Sequence, residues 1–206
     1  MLTKPEVFII ESLSDDDLQN NRCEGDLIKR ILEMGGREPV YYYVKTRQEF
    51  KDALQEFNNN EYRYLHISSH GAEDHFLFHF DAMFFNEFRS LVKPILKGKR
   101  VFISACDTVN HVNHELANVI LRDTECVSLI GSAEPINFDD AAMFWSTFYY
   151  LAYQGQGDVI KVTRDQIVTI LRKLTNLYPV ELNYYSASRH EGIKLDRFSK
   201  GTKQRL

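Results

Sequence analysis

Cysteine is scarce: Cys23, Cys106 and Cys126 are the whole complement of 206 residues. An odd number at wide spacings fits neither a disulfide framework nor a four-cysteine zinc module, so a reducing, cytoplasmic setting is expected. Long apolar runs are also missing. No uninterrupted stretch approaches the ~20 residues of a membrane span, and no membrane partner is expected. Residues 1–20 pass from an apolar run into acidic residues, without the basic and hydrophobic regions of a signal peptide. There is no Gly-rich phosphate loop and no G-x-G-x-x-G turn, which leaves nucleotide binding unsupported. With neither an internal repeat nor a low-complexity linker, residues 1–206 read as a single domain.

Charge of one sign does not dominate. The chain carries 25 basic and 29 acidic side chains, a net charge of −4. Residues 161–206 are mildly basic, with 10 basic and 4 acidic groups. They lack the aromatic-interleaved basic stripe of a nucleic-acid groove, so direct nucleic-acid binding is not expected. A 44% hydrophobic share in a chain of this length is ample for a core without covalent staples.

What is present is an alternation of strand and helix patterns. Val7–Ile10 is a short apolar run, as for a strand covered on both faces. Asp15–Asp17 reads as polar loop, and Leu27, Ile28, Ile31 and Leu32 then show helical spacing that Gly35–Gly36 ends. After a second strand at Val40–Val44, Thr46 with Glu49 forms a capping box for a helix whose apolar face is Phe50, Leu54 and Phe57. Further strands are expected at Tyr62–Ser68, Val101–Ile103 and Val127–Ile130, with a short strand or hairpin at Phe76–Phe80. Helices are expected around Phe84–Val92 and Val112–Ile120, then from a cap at Asp139 or Asp140, and from Thr163. The tail from Glu181 offers one edge strand. This order implies an α/β domain with a mostly parallel central sheet and helices on both faces. Functional groups of such a sheet gather at the C-terminal strand edge.

His70 and Cys106, 36 positions apart, each follow directly on a buried strand and would project at that edge. A thiol and an imidazole within reach form a nucleophile and its acid–base partner. The amides of a helix starting after Cys106 would favour the thiolate. Gly71 has no Cβ, so its amide, with that of Cys106, can form an oxyanion hole whose single donors are typically worth ~3 kcal/mol. Other readings compete on spacing alone. A lone cysteine at a strand end is commonly a small buried hydrophobe. His66, His70, His75 and His79, with Cys106, His111 and His114, could ligate a metal. However, His66 and His70 lie about 13 Å apart along a strand, and neither H-E-x-x-H nor paired C-x-x-C is present. No metal or other cofactor is therefore expected. Val112, where a cysteine phosphatase would place its phosphate-gripping arginine, excludes that chemistry. Ser68 and Ser69 lack the G-x-S-x-G elbow of a serine hydrolase.

The run Leu65-His66-Ile67-Ser68-Ser69-His70-Gly71, followed by Val101-Phe102-Ile103-Ser104-Ala105-Cys106-Asp107-Thr108, resembles the paired His-Gly and Ala-Cys blocks of clan CD cysteine peptidases, most nearly the CHAT family. Ile130–Pro135, Asp139-Asp140 and the aromatic helix after them resemble that family's next strand, loop and helix, so the likeness spans roughly residues 60–155. It implies a caspase-like fold, a catalytic pair of His70 and Cys106, and Gly71 as an oxyanion donor. It also implies a cysteine endopeptidase that cleaves protein substrates and is activated by a regulatory or sensor protein in another chain, in a prokaryotic defence or cell-death system. Two departures stand out. Ser104 occupies the place where metacaspase-like relatives often carry an acid selecting basic P1 side chains, and the helical repeats that often accompany CHAT domains are absent. Ser104, Glu134, Asp139 and Asp140 are the candidate specificity-pocket residues, the two aspartates serving equally as helix caps. The alternative is a catalytically silent caspase-like interaction module with a surface built from aromatics such as Phe84, Phe85, Trp145, Tyr149 and Tyr150, though core packing is the commoner use of such side chains.

Overall fold

The computed structural model describes residues 4–110, 114–122, 124–154, 161–188 and 192–200. Its centre is a seven-stranded sheet in the order β10-β9-β8-β7-β3-β1-β2. The first five strands to form it, β1 (Lys4–Glu11), β2 (Val40–Tyr43), β3 (Tyr62–Ser68), β7 (Arg100–Ser104) and β8 (Ser128–Ser132), run parallel. Alternation along β1 explains why its run is wholly apolar. Phe8 and Ile10 enter one core with Phe50, Phe57 and Phe88, while Val7 and Ile9 enter the other with Ile28, Trp145 and Leu171.

Helices α3 (Arg47–Asn59), α4 (Phe85–Val92) and α5 (Glu115–Leu121) cover the first face. Helices α2 (Glu24–Met34), α6 (Phe138–Tyr153) and α7 (Arg164–Leu177) cover the second. The expected capping boxes at Thr46 and Thr163 are formed. A second, three-stranded sheet of β4 (His70–Gly71), β5 (His75–Leu77) and β6 (Ala82–Phe84) has the antiparallel hairpin β5–β6 where a short strand or hairpin is expected around Phe76–Phe80.

Three expectations are corrected. Asp15–Gln19 is a helix, α1, because Ser14 and Asp17 form a capping box and three aspartates in the first turn suit the helix dipole. Asn137 is the N-cap residue of α6, with Asp139 and Asp140 inside its first turn. The tail supplies two antiparallel strands, β9 (Leu182–Ser188) and β10 (Gly192–Phe198), so β9 is interior and β10 is the edge. Phe85, Trp145 and Tyr149 are core, whereas Phe84 and Tyr150 are half exposed. The expected start of a helix at Val112 falls outside the described residues.

Candidate active site

The ends of β3 and β7 are adjacent, in the register Ser68 to Ser104. The pairing extends one step beyond the strands, where the Ser69 N–H donates to the Ser104 carbonyl at 3.0 Å. Past that point the two chains diverge into the segments that bear His70 and Cys106. Both residues line one cleft of about 670 Å³, together with Arg22, Glu24, Ser68, Ser69, Ser104 and the first turn of α6.

Gly71 is needed here because β4 lies against the cysteine loop. A Cβ at this position would come within 2.4 Å of Thr108 Cγ2 and 3.2 Å of the Cys106 carbonyl, pushing His70 away from Cys106. The cysteine itself sits on a turn. Asp107 adopts a left-handed φ of 57°, and the turn is tied by Thr108 Oγ1 donating to the Ala105 carbonyl at 2.9 Å. This revises the expectation of a helix immediately after Cys106, since α5 starts only at Glu115. The helix terminus that faces the cleft belongs to α6, and Cys106 Sγ lies 3.8 Å from the carbonyl of Ile136 just before it.

His70 is held from behind. Its Nε2 is 2.7 Å from Asp17 Oδ2, and its ring meets Phe138 edge-on, with centroids 5.5 Å apart. Asp17 is 2% exposed. Burial raises its pKa, but hydrogen bonds from Ser14, His70 and Arg22 outweigh that and hold the carboxyl at about 2. An ionised Asp17 accepts the proton on Nε2 and leaves Nδ1 as the basic nitrogen of the ring. Nothing in the sequence pointed to Asp17 as a partner of His70. The one available signal was the Ser14-x-x-Asp17 spacing, which marks a helix start.

A second acid lies at the cleft floor. Glu24, 3% exposed at the start of α2, accepts from Ser104 Oγ at 2.8 Å and Ser68 Oγ at 3.3 Å. Its other oxygen is 3.3 Å from His66 Nε2, and His66 Nδ1 is 3.0 Å from the Tyr149 hydroxyl. Both ring nitrogens of His66 are thereby engaged. Among the described residues no group of three or more His, Cys, Asp and Glu side chains gathers as a metal site, and His111 lies outside them.

Of the candidate pocket residues, Ser104 and Asp139 line the cleft. Glu134 is exposed and Asp140 accepts from Asn137 at 3.3 Å; neither lines the cleft. The other two thiols are placed differently from Cys106. Cys126 is 1% exposed and burial pushes its thiol up to about 12, while Cys23, also raised by burial, lines an adjoining pocket.

No family model matches the sequence, and no curated protein matches it significantly. Solved structures do match. The chain overlays the Arg-specific cysteine proteinase gingipain R of Porphyromonas gingivalis with a TM-score of 0.58 at 17% identity, over 85% of this chain and 43% of that one. The fold is caspase-like. The secreted C11 cysteine protease iotapain of Bacteroides thetaiotaomicron gives 0.55 at 11% identity, over 90% of this chain and 67% of that one. Caspase-1 of Spodoptera frugiperda gives 0.52 at 12% identity, over 98% and 93%. The chain thus spans less than half of gingipain R. These neighbours are cysteine proteases of clan CD, and the caspase-like sheet with its flanking helices is the property shared with them.

Proposed function

We propose that this chain is a cysteine endopeptidase in which Cys106 is the nucleophile and His70 the acid–base group. The observation that carries the reading is the convergence of both side chains on one cleft with Asp17 fixing the tautomer of His70. In this scheme His70 Nδ1 takes the thiol proton and Sγ attacks the peptide carbonyl carbon. The oxyanion meets the amides of Gly71 and Cys106. As the C–N bond breaks, His70 returns the proton to the leaving amine, giving a thioester on Cys106. A water then attacks that thioester, with its proton passing to His70, and releases the carboxylate and the free thiol. Asp17 stays ionised throughout and stabilises the imidazolium that forms.

The CHAT-like motif order further supports cleavage of protein substrates under the control of a regulatory or sensor protein, in the cytoplasm, as part of a prokaryotic defence or cell-death system. The gingipain neighbour, for its part, is known as a complex of pro- and mature domains. The test is an active-site thiol probe applied to the native protein and to Cys106→Ala, followed by mapping of new N-termini in cells expressing either form. Labelling and new termini that require Cys106 are expected. A folded native protein whose labelling is unaffected by Cys106→Ala would instead identify a catalytically silent interaction module.

A further inference from the structure

The small sheet beside the cleft is packed on one face only. Phe76 and Met83 point into the core and are wholly buried, whereas Leu77 and Phe84, at alternate positions of β5 and β6, are 39% and 50% exposed. Phe80, in the loop between the two strands, is 69% exposed. Among the described residues, three of the ten large hydrophobic side chains left open to water therefore fall within residues 77–84. Single exposed apolar side chains are ordinary, but a group of them beside a cleft calls for an occupant.

The strand register places this face. β4 pairs antiparallel with β5, His70 directly opposite Leu77, and β5 pairs with β6, His75 opposite Phe84 and Leu77 opposite Ala82. Directly opposed residues share a face, so His70, His75, Leu77, Ala82 and Phe84 form one surface that starts at the cleft. The ring centroids of His75 and Phe84 are 5.1 Å apart, which makes its far end aromatic. At the rim, the exposed Asp74 lies 2.5 Å from His75 Nδ1.

We infer that this face binds the leaving-group side of the substrate, and that the preferred substrates carry an apolar side chain within the first two residues after the scissile bond. The inference rests on the peptidase reading above and deepens it. A general acid has to stand within hydrogen-bond reach of the atom it protonates, so the leaving amine lies against His70. Asp17 and Phe138 already occupy two sides of the His70 ring, which leaves the β5 side for the departing peptide. Neighbouring strands are ~4.8 Å apart and an extended peptide advances ~3.3 Å per residue, so two residues carry a side chain from His70 onto Leu77, with Phe84 one strand further. A leucine or phenylalanine docked there removes apolar surface of both partners from water. An acidic side chain instead meets Asp74 at the rim.

The test digests a diverse peptide mixture with the native protein, with Cys106→Ala and with the double variant Leu77→Thr/Phe84→Thr, and reads the new termini by mass spectrometry. Both replacements fall on exposed strand positions, where threonine keeps the strand preference. Cys106-dependent cuts by the native protein are expected to be followed by leucine, isoleucine, methionine or phenylalanine roughly tenfold more often than by glycine, relative to the mixture. The double variant is expected to lose that bias and to keep its preference before the cut. Matched quenched peptides that differ only by an apolar residue or glycine after the cut should show the same ratio in kcat/KM on the native protein, mainly through KM, and none on the double variant. A merely structural loss lowers both peptides alike, preserves the ratio and overturns the assignment. A second measurement needs the native protein alone. Leucinamide or glycinamide is added so that its amine, in place of water, attacks the thioester on Cys106, forming an amide bond and releasing the thiol. Leucinamide should capture the acyl group roughly tenfold better. Cys106-dependent cleavage without an apolar bias after the cut, a bias that survives the double substitution, or equal capture of the two amines overturns the surface assignment and leaves the peptidase reading standing. No Cys106-dependent cleavage of any peptide overturns both.

Discussion

Two carboxylates near the same sheet edge both present almost no surface to water yet are shifted in opposite directions. Asp17 is 2% exposed and lies at about 2, while Glu11, at the end of β1, is 0% exposed and is pushed up to about 7. The difference is in depth and in partners, Glu11 being the more deeply enclosed by protein. Asp17 has a serine hydroxyl, a backbone N–H, an imidazole and a guanidinium directed at it. Glu11 has the Gly25 N–H at 2.7 Å and the Tyr41 hydroxyl at 2.7 Å, with no cation, and burial outweighs both bonds while the nearby Glu24 adds to the upward shift. Exposure alone therefore says little about the charge of an acid here. Depth of burial and directed donors decide it together, and the donors are concentrated on the acid behind His70.

Exchanging the chemistry of these two sites tests the contrast. The largest effect is expected from Asp17→Asn, which removes the charge that selects the Nε2–H tautomer of His70. Peptide cleavage should fall by roughly 10²–10⁴-fold in kcat, as is typical when a catalytic histidine is left in the wrong tautomer. The thiol probe should still label Cys106. Unchanged kcat across the pH profile would show that His70 is oriented by other means.

Glu11→Gln should do the reverse and stabilise the protein. Because the folded state binds the Glu11 proton more tightly than the unfolded chain, its favourable contribution is full below about 4.5 and is lost as pH rises to about 7. A neutral amide avoids that loss, so the variant should gain about 1–3 kcal/mol relative to the native protein on going from pH 5 to pH 8. Urea unfolding at the two pH values checks this, and a parallel shift of both proteins would mean that Glu11 is charged at little cost.

The sheet was largely legible in the sequence because buried parallel strands are continuous apolar runs, as Val7–Ile10 and Val101–Ile103 are, and because Thr46-x-x-Glu49 and Thr163-x-x-Gln166 announce helix starts locally. The pair His70 and Cys106 was legible for a related reason: each sits just past such a run, and topology then brings strand ends together. Asp17 and Glu24 were not. Their roles depend on where α1 and α2 pack against the strand ends, a tertiary placement that no local spacing encodes, and the run Asp15–Asp17 resembles solvated loop until Ser14 is recognised as its cap. The same limit explains α5. Cys106 was expected at a helix N-terminus because the apolar stripe resumes soon after it, yet the turn through Asp107 intervenes and α6 supplies the terminus at the cleft.

The two remaining predictions concern the donors that separate Asp17 from Glu11. Ser14 donates to Asp17 Oδ2 through its backbone N–H at 3.1 Å and its hydroxyl at 2.6 Å, and it caps α1. Ser14→Ala should cost about 1 kcal/mol of stability, the usual loss on removing an N-cap hydroxyl. It should also raise the Asp17 pKa, since one of the donors holding it down is gone. A carboxylate with a depressed pKa contributes stability that is present above the ordinary aspartate range and lost as pH falls toward its folded value, about 2. In Ser14→Ala that acid limb should therefore be smaller and end at higher pH. Arg22→Gln should have the smallest effect, a few tenths of a kcal/mol and weaker still at high salt, because Arg22 is partly exposed while it bridges Asp16 and Asp17. Acid-unfolding midpoints of the two variants, measured at low and high salt, should rank the serine above the arginine. The opposite order would make the guanidinium the main reason why Asp17 stays charged behind His70.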